Sequence, residues 1–271
     1  MKHFAVIGSP VEHSLSPAMH QWVFDSLKLD AEYEKIKVRK TELTQIIKKM
    51  KNGELDGVNI TIPYKETMVE HLDQVNPRAK SIGAVNCILK SGSKIIGNNT
   101  DWYGFSMALK NNDINPMGRE VIVLGAGGSA KSILYALRHM GVQKILLLNR
   151  SIKKAQVFQD ECILAYCLDD ADDIIKTDSI IINTTSVGMQ SSQSPIDFGL
   201  IHKNQILIDI IYTPLNTSIL KFGQKIGAIT VNGLDMFIHQ GLASLDLWFG
   251  SSVSTQVNLP KLKTYLESEL C

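Results

Sequence analysis

No two cysteines in this chain stand at metal or redox spacing. The four, Cys87, Cys162, Cys167 and Cys271, form no Cys-x-x-Cys and no Cys/His cluster. That excludes a zinc site built on them and leaves reduced thiols as the expectation. Neither charge is in excess: 28 Lys and Arg stand against 27 Asp and Glu, a net +1. Nothing in the charge therefore favours nucleic acid or an anionic membrane as a partner. No apolar run approaches the ~18 residues of a membrane span, and the stretch Phe4–Ile7 is far too short for a signal peptide. Internal repeats and low-complexity segments are missing too. What is present is 271 residues, 44% hydrophobic and 20% charged, enough for two buried cores in a globular protein expected to be cytoplasmic.

The most informative stretch is VIVLGAGGSAK, Val121–Lys131. Its four leading apolar residues read as a buried parallel strand, and a helical pattern runs over Ser129–Met140. Gly125, Gly127 and Ala130 fit G-x-G-x-x-G/A: a tight turn, close approach of backbone to a pyrophosphate, and close packing of helix on strand. The pyrophosphate would rest on the helix N-terminus. Such turns also join strands to helices for packing alone, and another absence sharpens the reading. Dinucleotide folds carry an acid on the ribose about 20 residues past the glycines. Here the strand Lys144–Asn149 ends in Asn149-Arg150-Ser151, with Lys153 and Lys154 beyond. No carboxylate repels a 2′-phosphate and cations are present to pair with one, which argues for NADP over NAD.

Upstream, a strand over Lys2–Ile7 runs into Gly8-Ser9-Pro10, and Ser14 and Ser16 precede a helix expected at Ala18–Leu27. An N-cap with Pro17 at the first helical position explains one serine, whereas two hydroxyls also suit a carboxylate ligand. Strand Tyr33–Val38 and helix Thr41–Lys51 follow, then a strand in which Val58, Ile60 and Ile62 alternate with Asn59 and Thr61. Pro63 ends it and Lys65 lies just past. A strand over Gly83–Leu89 carries Asn86, a hairpin turns at Ser91–Lys94, and Asn98-Asn99-Thr100-Asp101 leads into a helix at Tyr103–Lys110. Taken singly, Lys65 is a solvated lysine and Asp101 an adequate N-cap. Asn59, Thr61 and Lys65 converging at one strand end weigh against that. Asn111–Glu120 is a polar junction. Beyond it, strands Ile180–Asn183, Ile206–Ile210 and Ala228–Val231 alternate with helices, including Thr217–Ile226. A long helix runs from Gly233 to about Phe249 and a closing one over Leu259–Leu270. The alternation predicts a doubly wound parallel sheet with ligands at the carboxyl ends of its strands.

The segments SLSP (Ser14–Pro17), NITIPYK (Asn59–Lys65), GAVN (Gly83–Asn86), NNTD (Asn98–Asp101), GAGGSA (Gly125–Ala130), NRS (Asn149–Ser151), NTTSVGM (Asn183–Met189) and NGLDMFIHQG (Asn232–Gly241) resemble the shikimate dehydrogenase family over essentially the whole chain. The resemblance implies an α/β protein of two domains with a cleft between them. An N-terminal substrate domain, residues 1–101, would be completed by the C-terminal helices in 239–271, which pack back on it; a Rossmann-type NADP domain would span 102–238. It implies reduction of 3-dehydroshikimate to shikimate with NADPH, on the way to chorismate and the aromatic amino acids. Ser14 and Ser16 would hold the substrate carboxylate, with Tyr212 helping; Asn59, Thr61, Asn86 and Gln240 would bind ring hydroxyls; Lys65 and Asp101 would be the catalytic pair. Gly125, Ala126, Gly127, Gly128, Ser129, Ala130, Asn149, Arg150, Ser151, Lys154, Thr184, Ser186, Ile210, Gly233 and Met236 would hold NADP. No metal is implied, the partner is a small-molecule substrate, and the chain is expected as a monomer or homodimer. Trp102 stands where the family usually has glycine, an indole able to crowd the turn bearing Asp101, and Cys87 where threonine is common.

The chemistry can be argued without the resemblance. Carbonyl reduction needs a proton for the developing alkoxide, and none of His13, His20 and His239 is singled out by the pattern. A lysine–aspartate pair supplies both positive charge and proton, titrating as a unit, with burial and the carboxylate pulling the lysine in opposite directions. A rival reading is an NAD-dependent quinate/shikimate dehydrogenase; Ser16 and the basic Arg150 region favour shikimate and NADP. A non-catalytic nucleotide-binding module is the other, and it has no use for a proton-transfer pair.

Overall fold

Two six-stranded sheets carry the fold. The structure, a computed structural model, describes residues 1–270; Cys271 lies outside the described residues. The chain divides into two compact units, Met1–Gly104 with Ile238–Glu269, and Phe105–Phe237 with Leu270.

In unit 1 the elements run β1 (Lys2–Gly8), α1 (Ser16–Leu27), β2 (Ala31–Lys37), α2 (Leu43–Asn52), β3 (Gly57–Ile60), β4 (Gln74–Val75), α3 (Pro77–Ile82), β5 (Cys87–Ser91), β6 (Lys94–Asn98) and the start of α4 (Asp101–Asn111). The sheet order is β2-β1-β3-β5-β6-β4. β1 is parallel to β2 and β3, while β5 runs antiparallel to both β3 and β6. One core forms where α2 lays Leu43, Ile46, Ile47 and Met50, spaced for one helical face, on Ile7, Val58, Ile88 and Ile95 of the sheet. Burying each such side chain contributes about 1.5–3 kcal/mol. Elsewhere in the unit, Phe4 stacks on Trp248 with ring centroids 4.6 Å apart.

Two local expectations need correcting. The strand expected from Gly83 begins only at Cys87. Pro77 at the helix start and Asn76, whose side chain accepts from the Arg78 N–H at 3.0 Å, make a short helix that Gly83 ends at φ +72°. Gly83–Asn86 is thus a connection, with Asn86 at the strand head. Asp101 is not an N-cap either: α4 starts on it, and the Asn99 side chain accepts from the Asp101 and Trp102 N–H groups at 3.1 and 3.4 Å. That releases the aspartate side chain for other work.

Unit 2 continues with β7 (Val121–Leu124), α5 (Gly128–His139), β8 (Ile145–Asn149), α6 (Ile152–Gln156), β9 (Ile163–Cys167), α7 (Ala171–Ile174), β10 (Ile180–Asn183), β11 (Ile206–Asp209), α8 (Ser218–Ile226) and β12 (Ile229–Val231). α9 (Leu234–Phe249) crosses the boundary back into unit 1, where α10 (Leu259–Ser268) closes the described chain. All strand pairs are parallel, in the order β12-β11-β10-β7-β8-β9. β7, β10 and β11 are buried at every position, as unbroken apolar runs covered on both faces should be. The strand order reverses between β7 and β10, the point where doubly wound sheets open a ligand crevice.

His20 gives unit 1 a measurable acid sensitivity. Its ring is fully buried, stacked on Tyr33 at 4.1 Å, with Nδ1 2.8 Å from the Ser16 carbonyl oxygen. Burial drives its pKa down from 6.5 to about 4, against the pull of the Ser16 and Gly241 carbonyls. Between those values the unfolded chain binds a proton that the folded chain refuses, so stability falls as pH drops through the window. The whole shift corresponds to about 3 kcal/mol. Urea unfolding of wild type and His20→Gln at both ends of the window should show wild type losing that much more on acidification. Parallel pH curves would dismiss the role.

Candidate active site

The register of the first sheet gathers four loops at one end. Ile7 lies opposite Ile60, so parallel β1 and β3 end side by side, and Cys87 lies opposite both Asn59 and Asn98. Antiparallel β5 therefore begins where β3 and β6 end. The loops after β1 (Ser14, Ser16), after β3 (Thr61, Lys65), before β5 (Asn86) and after β6 (Asn99, Thr100, Asp101) all issue from that edge.

Lys65 Nζ and Asp101 Oδ2 meet there at 2.7 Å, their side chains 13% and 5% exposed. Asn86 Nδ2 donates to Asp101 Oδ1 at 2.8 Å and to Thr100 Oγ1 at 2.9 Å, and faces Gln240 Oε1 of α9 at 3.2 Å. The Thr100 N–H closes the ring onto Asn86 Oδ1 at 2.6 Å. Taking two charges out of water costs most of what their attraction returns, so such a pair is weak as a stability device. Its value lies in a fixed donor beside a fixed carboxylate. Trp102 leaves Asp101 in place: its indole lies under the Arg78 guanidinium, 4.4 Å from the ring centre, while the carboxylate keeps Lys65 and Asn86.

Ser14 and Ser16 face each other, Ser14 Oγ donating to Ser16 Oγ at 3.1 Å and accepting the Ser16 N–H at 3.2 Å. Leu15 occupies the cap position of α1 without a side-chain bond, so neither serine is its N-cap. Thr61 is half-buried past the end of β3. Asn59 is hydrogen-bonded to its protein neighbours at the end of β3. Its Oδ1 takes the Tyr33 hydroxyl at 2.8 Å, and Nδ2 donates to the Asn86 carbonyl at 3.1 Å and to Ser244 Oγ at 2.9 Å. Both N–H groups are spent on the protein. Tyr212 belongs to unit 2, where its ring packs on Phe237 at 4.4 Å.

Sequence reasoning passed over Tyr33, Thr100 and Ser244. For Ser244 a signal existed: it stands four residues after Gln240, on the same face of a mostly apolar helix.

The residues expected to hold NADP all lie in unit 2. Gly125 has φ +103°, and a Cβ there would stand 2.8 Å from Thr184 Oγ1 and Thr185 Cγ2. Thr184 Oγ1 in turn donates to the Leu124 carbonyl at 2.7 Å, bracing the turn. At Gly127 a Cβ would meet nothing within 4 Å, and α5 starts there with no side-chain cap. Open space over an uncapped helix N-terminus is what a pyrophosphate requires. Ala126, Gly128 and Ser129 line the same turn, and Ala130 is buried under it. At the end of β8, Asn149 Nδ2 donates to the Ser151 carbonyl at 2.9 Å, while Arg150, Ser151 and Lys154 are exposed. Ser186 is exposed after β10, Ile210 half-buried after β11, and Met236 buried in the first turn of α9. Any Cβ at Gly233 would collide with the Ile210 carbonyl, which is why glycine stands there. The donor set fits a phosphorylated dinucleotide. Among the described residues no His/Cys/Asp/Glu group could hold a metal ion, and no helix is long and apolar enough to cross a membrane.

Comparison with known proteins places these features in one family. The family model described as the shikimate dehydrogenase substrate binding domain matches residues 6–88, that of shikimate / quinate 5-dehydrogenase residues 107–211, and that of the shikimate 5′-dehydrogenase C-terminal domain residues 233–257. A Bacillus cereus (strain AH187) protein named shikimate dehydrogenase (NADP(+)) is 36% identical over 255 residues, 91% of this chain and 92% of the relative. Shikimate 5-dehydrogenase from Thermus thermophilus, solved in complex with NADP(H) and shikimate, matches with a TM-score of 0.84 at 34% identity, covering 98% of each chain. Quinate dehydrogenase from Corynebacterium glutamicum in complex with NAD matches at 0.85 with 27% identity, over 98% of this chain and 99% of that one. With three domain matches in order along it and such identity across nearly its whole length, the chain belongs to the shikimate dehydrogenase family.

Proposed function

We propose that this chain reduces 3-dehydroshikimate to shikimate reversibly with NADPH, a step toward chorismate and the aromatic amino acids, with Lys65 and Asp101 as its proton-transfer pair. The observation that carries the reading is the buried 2.7 Å contact between Lys65 and Asp101, at the edge where Asn86 and Gln240 also converge. Bound NADPH supplies the hydride. Lys65 Nζ gives its proton to the oxygen of the carbonyl being reduced, and in oxidation the pair takes it back. The lysine charge stabilises the alkoxide as it develops, and the Asp101 carboxylate fixes where that charge points. Ser14 and Ser16 hold the substrate carboxylate, with Tyr212 contributing, while Asn59, Thr61, Asn86 and Gln240 take ring hydroxyls.

Residues 1–101 with 239–271 are the substrate part and 102–238 the NADP part. In the latter, Gly125–Ala130 cradle the pyrophosphate, Asn149, Arg150, Ser151 and Lys154 the 2′-phosphate and its ribose, and Thr184, Ser186, Ile210, Gly233 and Met236 the remainder. The chain is taken to act in the cytoplasm as a monomer or homodimer. Against an NAD-linked quinate enzyme stand Ser16 and the absence of an acid in the segment 149–154 that carries Arg150. A steady-state assay of shikimate and quinate, each with NADP and NAD, decides: shikimate with NADP should give the largest kcat/KM. A preference for quinate with NAD would overturn the assignment.

Ser16→Ala offers a narrower check. The carboxylate contact is the same in ground and transition states, so the substitution should raise the KM for shikimate with little change in kcat. A lowered Tm with intact kinetics would make the serine purely structural.

A further inference from the structure

A single hydroxyl on α9 reaches three parts of the site edge. Ser244 is fully buried, and its Oγ donates to the Gln240 carbonyl one turn back at 3.0 Å. A serine has one hydrogen to give, so toward its other neighbours Ser244 is an acceptor. Those neighbours are Asn59 Nδ2 at 2.9 Å and Thr100 Oγ1 at 3.3 Å. Both lead to Asn86. Asn59 also donates to the Asn86 carbonyl at 3.1 Å, and Thr100 Oγ1 receives the Asn86 side-chain amide at 2.9 Å. That same amide donates to Asp101 Oδ1. Asn86 is therefore held at its backbone and at its side chain by two groups that share one acceptor.

We propose that Ser244 is a positioning residue for the Lys65–Asp101 pair, acting through Thr100 and Asn86; the inference rests on the function proposed above. A methyl in its place leaves the buried Asn59 amide N–H short of an acceptor and hands the Thr100 hydroxyl wholly to Asn86 Oδ1, 3.2 Å away, so Asn59 turns aside and Thr100 shifts toward Asn86. Either movement lets the Asn86 amide rotate off Asp101, and the carboxylate loses one of the two contacts that aim it.

The test compares Ser244→Ala with wild type in shikimate oxidation with NADP. Misalignment of this kind should lower kcat by about 10- to 100-fold with the KM for NADP unchanged. Thr100→Val should reproduce the loss, Thr100→Ser should recover most of it, and Ser244→Ala should add little on top of Thr100→Val because both break one link. Normal kcat in Ser244→Ala, whatever its Tm, overturns the proposal, as do additive losses. A readout independent of turnover is the side-chain amide NMR signal of Asn86, which should move in Ser244→Ala and stay put in the distant, exposed Ser268→Ala. An Asn86 signal unmoved by Ser244→Ala also overturns it. Wild type that fails to oxidise shikimate sinks the proposed reaction instead, and the NMR comparison still decides the positioning.

Discussion

Lys65→Met lowers kcat for shikimate oxidation by about 10²–10⁴-fold, the range general acid–base groups supply, while the KM for NADP stays where it was. Methionine keeps the length of the side chain and removes only the ammonium. It leaves the Asp101 carboxylate, 4% exposed as a residue, with the Asn86 amide as its remaining partner there. Losing half of a buried pair also destabilises by about 3–5 kcal/mol. Kinetics and a Tm must therefore be read on the same preparation. A variant folded as well as wild type, with near-normal kcat, would remove Lys65 from the chemistry.

Arg150→Ala raises the KM for NADP by roughly 10- to 150-fold, the cost of about 1.5–3 kcal/mol for one hydrogen bond to a charged group, and leaves the KM for NAD nearly untouched. Arg150 is exposed at the end of β8, in a segment without a carboxylate. A planar guanidinium matches a phosphate with two parallel bonds, which lysine cannot replace, so Arg150→Lys should fall between the two. Steady-state titration of both cofactors measures this. Equal losses for NADP and NAD would mean that Arg150 stacks on the adenine instead.

Some of this was legible in the residues and some was not. The β7–turn–α5 unit was, because each small residue there answers a steric demand that local sequence displays: φ +103° at Gly125, space over Gly127, a buried Ala130. The start of α4 was not, since Asn99 and Asp101 are both good capping types and only the tertiary partners of Asp101 decide between them. Alternation in β3 exposed Asn59 as a polar strand residue but could not name what it meets. Tyr33 and Ser244 stand 26 and 185 residues away in sequence, beyond any local rule. β9 went unread for a different reason: it is an edge strand, half-buried over most of its length, and its sequence ILAYC alternates in neither polarity nor size. Lys65 and Asp101 were found by motif, and only the fold supplies the contact between them.

Whether that contact is one functional unit is settled by a double-mutant cycle in kcat at saturating shikimate and NADP, using Lys65→Met, Asp101→Asn and the combination. Both replacements are near-isosteric and uncharged, so the double variant restores neutrality to a buried site rather than stranding a charge. If the two side chains share the proton-transfer step, the double variant will be little worse than the poorer single one, because groups that act together are lost together. Losses that simply multiply would contradict the account and make Lys65 and Asp101 two neighbours with separate tasks.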